Sequence, residues 1–169
     1  LILRQKVGNK FINILKMKLA DKLKELSITI PDSNTKFGNY LPFLKDGNKI
    51  YISGQLPIKN KAIISGKVES EVTLEEARKA AKLCIINTLI ILNSIDENID
   101  LKNLSCIQLS GFVNADSKFS NHPEVINGAS DFICEVLGEN GAHTRIAVGC
   151  NSLPKNACVE ISSIFSLEK

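Results

Sequence analysis

Apolar residues recur at helical spacing near the start of the chain. Leu15, Leu19, Leu23 and Leu26 fall on one face and predict a helix over residues 11–27, which Pro31 and the polar run Asp32-Ser33-Asn34 end. Residues 40–44 and 49–55 read as two strands around Lys45-Asp46-Gly47-Asn48, a turn whose Asp, Gly and Asn tolerate positive φ. A short third strand is expected at 62–64. Thr73-Leu74-Glu75-Glu76 is a capping box: the Thr side chain accepts from the Glu76 amide and Glu76 reaches back. It opens a helix running to about residue 93, and Glu75 and Lys79 stand four apart in the favourable order. Leu83, Ile86, Leu89, Ile90 and Leu92 make this helix apolar on several sides, so a sheet must cover it.

The second half repeats the theme. Residues 104–113 read as a strand, and Pro123 suits the first turn of a helix running to Leu137, ended by Gly138 and Gly141. Strands follow at 144–150 and 157–165 around the turn Leu153-Pro154-Lys155-Asn156. The order, helix-β-β-(β)-α-β-α-β-β, predicts an α+β fold: one mixed sheet with two long helices on one face. The other face is then bare, and trimerisation through it is one way to cover it. Residues 1–30 form an N-terminal helical extension and residues 31–169 the main domain.

Length and charge narrow the class. A chain of 169 residues fits one domain of ordinary size. The net charge of +3 is a weak bias and acids are interspersed with bases after residue 20, so dedicated nucleic-acid binding is not implied. No apolar run reaches the roughly 18 residues of a membrane span. The five cysteines, Cys84, Cys106, Cys134, Cys150 and Cys158, include no C-x-x-C pair or metal-site spacing, which favours buried reduced thiols in an intracellular protein. The first 20 residues carry Arg4, Lys6, Lys10, Lys16 and Lys18 with no acid. An amphipathic helix packed on the domain is the preferred reading, with a cytoplasmic protein. The alternative is the remnant of a mitochondrial or plastid targeting sequence.

Several motifs in order then carry a resemblance. They are Gly38-Asn39-Tyr40, the strand Tyr51-Ile52-Ser53-Gly54-Gln55-Leu56-Pro57, Asn87 in the capped helix, and Val125-Ile126-Asn127 in the second long helix. The most specific set is His143-Thr144-Arg145-Ile146-Ala147-Val148, then Leu153-Pro154, then Val159-Glu160-Ile161. Together, over about residues 37 to 167, they resemble the RidA/YjgF family, also called endoribonuclease L-PSP or reactive intermediate imine deaminase. Gly111-Phe112-Val113-Asn114 and Asn127-Gly128-Ala129-Ser130-Asp131 are similar to a longer, less characterised branch with an extra N-terminal helix.

The resemblance implies a chorismate-mutase-like α+β fold and a homotrimer with ligand clefts between subunits. It also implies hydrolysis of 2-imino or enamine acids to 2-oxo acids and ammonia, with no cofactor and no metal. Arg145 matches the carboxylate-binding position, and a guanidinium suits it because it stays charged and binds both oxygens at once. Glu160 matches the glutamate that orients or deprotonates the attacking water. Tyr40, Gly54 and Asn127 are the further candidate ligand contacts. One position departs: the imine-hydrolysing branch commonly carries Cys two residues after the Arg, and here Ala147 stands there.

If the Arg145 and Glu160 strands form a hairpin, the two groups share a face only when Glu160 opposes an odd-numbered residue such as Ala147; opposite Val148 they diverge. His122 and His143 have no Ser or Cys placed beside them by a known motif, so neither is taken as a catalytic base, although His143 could line a cleft. Two readings remain: an imine deaminase using Arg145 and Glu160, or a non-catalytic trimer that binds small carboxylates or a protein partner. Ribonuclease chemistry ranks last, since the sequence presents no acid–base pair suited to RNA cleavage.

Overall fold

The computed structural model describes residues 17–30 and 39–168. The described part of the N-terminal helix, α1, is Leu19–Glu25, and the rest of the helix expected over 11–27 falls partly outside the described residues. α1 belongs to the core: Leu19 and Leu23 are fully buried, Leu19 donates its amide to the Ile99 carbonyl, and Leu101 donates to that of Met17.

The first hairpin joins β1 (Phe43–Asp46) to β2 (Lys49–Gln55), with Asp46 opposite Lys49. Its loop is therefore only Gly47-Asn48, tighter and later than the pattern predicts. Gly47, at φ +58°, supplies the positive φ such a two-residue loop requires at its first position. β3 (Ile58–Lys59) and β4 (Ala62–Ile63) form a separate small hairpin rather than a third strand of the main sheet.

Helix α2 (Leu74–Ile95) opens with both hydrogen bonds of the capping box, and Lys79 pairs with Glu75 at 3.5 Å. β5 (Leu104–Asn114) leads to α3 (His122–Leu137), then β6 (Thr144–Cys150) and β7 (Val159–Leu167). The main sheet has the order β1-β2-β7-β5-β6, with β5 and β6 parallel and the other neighbours antiparallel. The fold is α+β, with three helices among the described residues and one five-stranded mixed sheet. β6 and β7 do not form a hairpin: β5 lies between them. A parallel β5–β6 pair needs a crossover, and α3 supplies it.

Strand alternation sends Ile50, Ile52, Leu109, Val113, Val159, Ile161 and Phe165 beneath α2 and α3, where they are buried. The two helices cross closely at Gly128, where any Cβ would collide with the Arg78 carbonyl. Among the described residues no layer lies over the opposite face. Leu44, Tyr51, Phe112, Ile146 and Val148 stand exposed there, Ile146 to 47%.

Candidate functional site

Arg145 lies on β6, the edge strand, directly opposite Leu109 on β5, which is itself opposite Ser163 on β7. Paired residues share a face, and Leu109 and Ser163 are buried under the helices. Arg145 therefore projects to the helix side, but at the rim, where it remains exposed and meets α3. There Nη1 donates to Asn127 Oδ1 at 2.8 Å and to Ser130 Oγ at 3.1 Å. Asn127 and Ser130 are three residues apart and so lie on one side of α3. Both hydrogens of Nη1 are thus used by neutral acceptors. The Nε–Nη2 edge, the fork that grips a carboxylate, is left open. Among the described residues no carboxylate pairs with Arg145. Arg78 shows the contrast, bound to Glu124 and Asp131 at 3.2 Å each.

The network continues. Ser130 Oγ lies 3.0 Å from His143 Nε2, and His143 Nδ1 lies 2.6 Å from the Gly141 carbonyl. A carbonyl only accepts, so Nδ1 carries a proton. In the neutral ring Nε2 then accepts from the Ser130 hydroxyl, whose oxygen accepts from Arg145. His143 enters the site through Ser130, a residue that sequence reasoning missed. Its signal was there: Asn127 and Ser130 sit at i and i+3 in the run Asn127-Gly128-Ala129-Ser130-Asp131, pointing at the Arg145 strand. His122 is packed instead, edge-on to Phe119 at 4.9 Å, with its Nε2 against Gly149.

Glu160 lies elsewhere. It is opposite Phe112, which is opposite Val148, so it stands on the open face. Arg145 and Glu160 are two strand spacings apart, roughly 10 Å, offset along the strands, and on opposite faces. This is the diverging arrangement, reached with β5 intervening. Glu160 is half-buried, and burial pushes its carboxyl above the ordinary carboxylate range. Its carboxylate occupies the space that a side chain at Gly54 would fill. Gly54 lies in a bulge: β2 carries one extra residue between Ile52 and Gln55 relative to β7. Two further residues fix this corner. Asn87 Nδ2 donates to the Leu56 and Ile58 carbonyls at 2.9 and 3.1 Å. Ser53 holds the Tyr40 segment by bonds to the Leu41 and Pro42 carbonyls, and Tyr40 itself is exposed.

The candidate residues thus form two groups. Arg145 and Asn127 meet at the β6–α3 rim, joined by Ser130 and His143. Glu160, Gly54 and the Tyr40 segment meet at the β2–β7 end of the open face. Ala147 shares the Arg145 side of β6, opposite Gly111, and offers no reactive group. The buried thiols are poor nucleophiles: burial pushes Cys158 up to about 11 and Cys106 up to about 12. Cys134 departs from the expected burial and is exposed, its Sγ 3.5 Å from the Gly141 carbonyl. A groove of about 200 Å³ between α2 and α3, lined by Arg78, Lys82 and Asp131 among others, is a helix seam whose Arg78 is already ion-paired.

Comparison with known proteins places this geometry. Residues 21–166 match the family model described as "YjgF/chorismate mutase-like, putative endoribonuclease". Protein TCP17 of Trypanosoma cruzi is 32% identical over 153 residues, covering 89% of this chain and 94% of the relative. A solved Agrobacterium tumefaciens protein of unknown function superimposes with a TM-score of 0.78 at 41% identity, over 89% of this chain and 94% of that one. The "putative endoribonuclease" from Shewanella oneidensis superimposes at 0.80 with 24% identity, over 89% and 100% of the two chains. The chain belongs to the YjgF/chorismate-mutase-like family.

Proposed function

We propose that this protein binds small carboxylates, with the open Nε–Nη2 edge of Arg145 as the anchor, and that its enzymatic activity is hydrolysis of 2-imino or enamine acids to 2-oxo acids and ammonia. One observation carries the reading: a guanidinium held by Asn127 and Ser130 and left without a counter-ion among the described residues. An arginine serving only structure would be expected to pair with an acid, as Arg78 does.

Glu160 suits the role of water-orienting base in this reading. Burial raises its carboxyl, which makes it a stronger base than a solvated glutamate. Because Arg145 and Glu160 stand on opposite faces of one chain, they act on one ligand only if it is held between neighbouring copies. The apolar open face supports such self-association, and a homotrimer is the closed form we favour. The carboxylate would sit on Arg145 of one copy, with Gly54, Glu160 and Tyr40 of the next copy at the imine carbon. A non-catalytic carboxylate-binding trimer is the second reading, favoured by Ala147, which supplies no reactive group beside Arg145.

The test generates 2-iminopropanoate with a pyridoxal-phosphate dehydratase and follows 2-oxo acid release. Acceleration that Arg145→Ala abolishes, with the assembly state unchanged, is the expected result. No acceleration over buffer, with pyruvate still bound through Arg145, would select the non-catalytic reading.

A further inference from the structure

The hydrogen bonds around Arg145 form a directed chain whose direction depends on one proton. With His143 neutral, Nδ1–H is committed to the Gly141 carbonyl at 2.6 Å, so Nε2 can only accept. The Ser130 proton then points at Nε2, across 3.0 Å, and its oxygen accepts from Arg145 Nη1. In this state Ser130 has no hydrogen to offer a ligand. Protonating His143 makes Nε2 a donor. Ser130 Oγ then accepts from both His143 and Arg145, and its own proton must turn elsewhere.

We propose that Ser130 and His143 make the Arg145 anion site responsive to pH, Ser130 being a positioning residue that becomes a second ligand donor when His143 is protonated. The proposal rests on the reading of Arg145 as a carboxylate anchor. The balance is one proton gained by the His143 imidazole and none lost by Ser130, whose hydroxyl only rotates. A bound carboxylate would accept from the Arg145 fork and from the released Ser130 hydroxyl. It would also offset the repulsion between His143⁺ and Arg145⁺. Low pH should therefore tighten the ligand, and the ligand should favour protonated His143 by the same factor, as linkage requires.

Several charged or titratable groups lie near His143 in sequence or share its hydrogen-bond partners. Arg145 lies two residues further along the chain, and from α3 Cys134 shares the Gly141 carbonyl. Glu135 on α3 and Glu139 in the 3-10 turn at Gly138–Gly141 are near in sequence, and neither bonds to the chain of groups described. β5 contributes the Ile107 carbonyl, taken by Thr144 Oγ1, and the neutral Gln108.

The experiment titrates pyruvate into the full chain at about pH 8 and about pH 5.5, the range over which histidine side chains act as proton switches. The same titrations are run on Ser130→Ala, Ser130→Thr and His143→Gln, and imidazole ¹⁵N spectra are recorded in parallel. Wild-type affinity should rise by about threefold or more towards low pH, the lower end of what one added hydrogen bond contributes. Ser130→Thr should keep the rise, Ser130→Ala should lose most of it, and His143→Gln all of it. The spectra at high pH should place the single His143 proton on Nδ1. A wild-type affinity that does not change with pH overturns the proposal, as does an undiminished rise in Ser130→Ala or His143→Gln, or a proton found on Nε2 at high pH. Absence of pyruvate binding at any pH instead overturns the carboxylate-anchor reading itself, and the proposal with it.

Discussion

The two faces of the main sheet are made from similar residues and meet different fates. On the helix side Ile50, Ile52, Leu109, Val113, Val159 and Ile161 are buried beneath α2 and α3. On the other side Leu44, Tyr51, Phe112, Ile146 and Val148 face solvent in the single chain. A sheet alternates its side chains regardless of what lies above it, so the chain builds two apolar faces, of which the described residues cover one. The candidate residues divide the same way. Arg145, Asn127, Ser130 and His143 belong to the rim of the covered face, and Glu160 to the open one. The lesson is that neighbouring motifs in sequence need not be neighbours in one molecule. A site that uses both groups is an intermolecular site.

The sharpest way to separate the faces is to place one charge on each. Leu109→Asp buries an unpaired carboxylate beneath the helices and should unfold the protein or cost several kcal/mol, on the order of 3–5. Val148→Asp, on the opposite face of the sheet and exposed, should leave the chemical-denaturation midpoint of the isolated chain little changed. In our account it lowers the assembly state seen by light scattering. If both substitutions unfold the chain equally, the open face is not a surface at all.

Of intermediate size is the cap of α2, which holds Asn87 and so the Gly54 corner in place. Thr73→Ala removes the bond that Thr73 Oγ1 accepts from the Glu76 amide at 3.2 Å and should cost about 1 kcal/mol by denaturant titration. A loss within error would mean that tertiary packing alone sets the start of this helix.

The smallest expected effect concerns Glu160 and pH. Its carboxyl is raised in the folded chain by burial. Between the unfolded and folded values the native state holds more proton than the unfolded one, so stability falls as pH rises through that window. Glu160→Gln removes the penalty. It should raise the melting temperature at neutral pH and do little well below the ordinary carboxylate range, with the two curves converging on acidification. A melting temperature lowered at neutral pH would show that Glu160 is held by favourable contacts rather than strained by burial.

Much of this molecule was legible from its pattern. The capping box located α2, Pro123 and the paired glycines bracketed α3 to within a residue, and 49–55 and 144–150 match β2 and β6. These elements declare themselves through local chemistry: caps, turns and periodicity. What the pattern could not supply was pairing. Residues 144–165 look like a hairpin because two strands flank a Leu-Pro turn, yet β5 inserts between them. Partner choice is decided by the α3 crossover and the shared core, not by the turn. The bulge at Gly54 and the separate β3–β4 hairpin are of the same kind. Within the site, Arg145 and Asn127 were legible as residues and meet in space, whereas Ser130 escaped notice because its i, i+3 spacing from Asn127 gains meaning only once the strand across the crossover is known.

The central claim, that the Arg145 group of one copy meets the Glu160 group of another, has a direct measurement. Arg145→Ala and Glu160→Gln chains are prepared separately, then co-refolded, and 2-oxo acid release from 2-iminopropanoate is followed for each and for the mixture. The account predicts that neither variant alone accelerates the reaction. It also predicts that the mixture recovers part of the wild-type rate, since some clefts then combine an intact Arg145 with an intact Glu160. A mixture no more active than its two components, in assemblies shown by mass to contain both chains and with the wild type active, would contradict it.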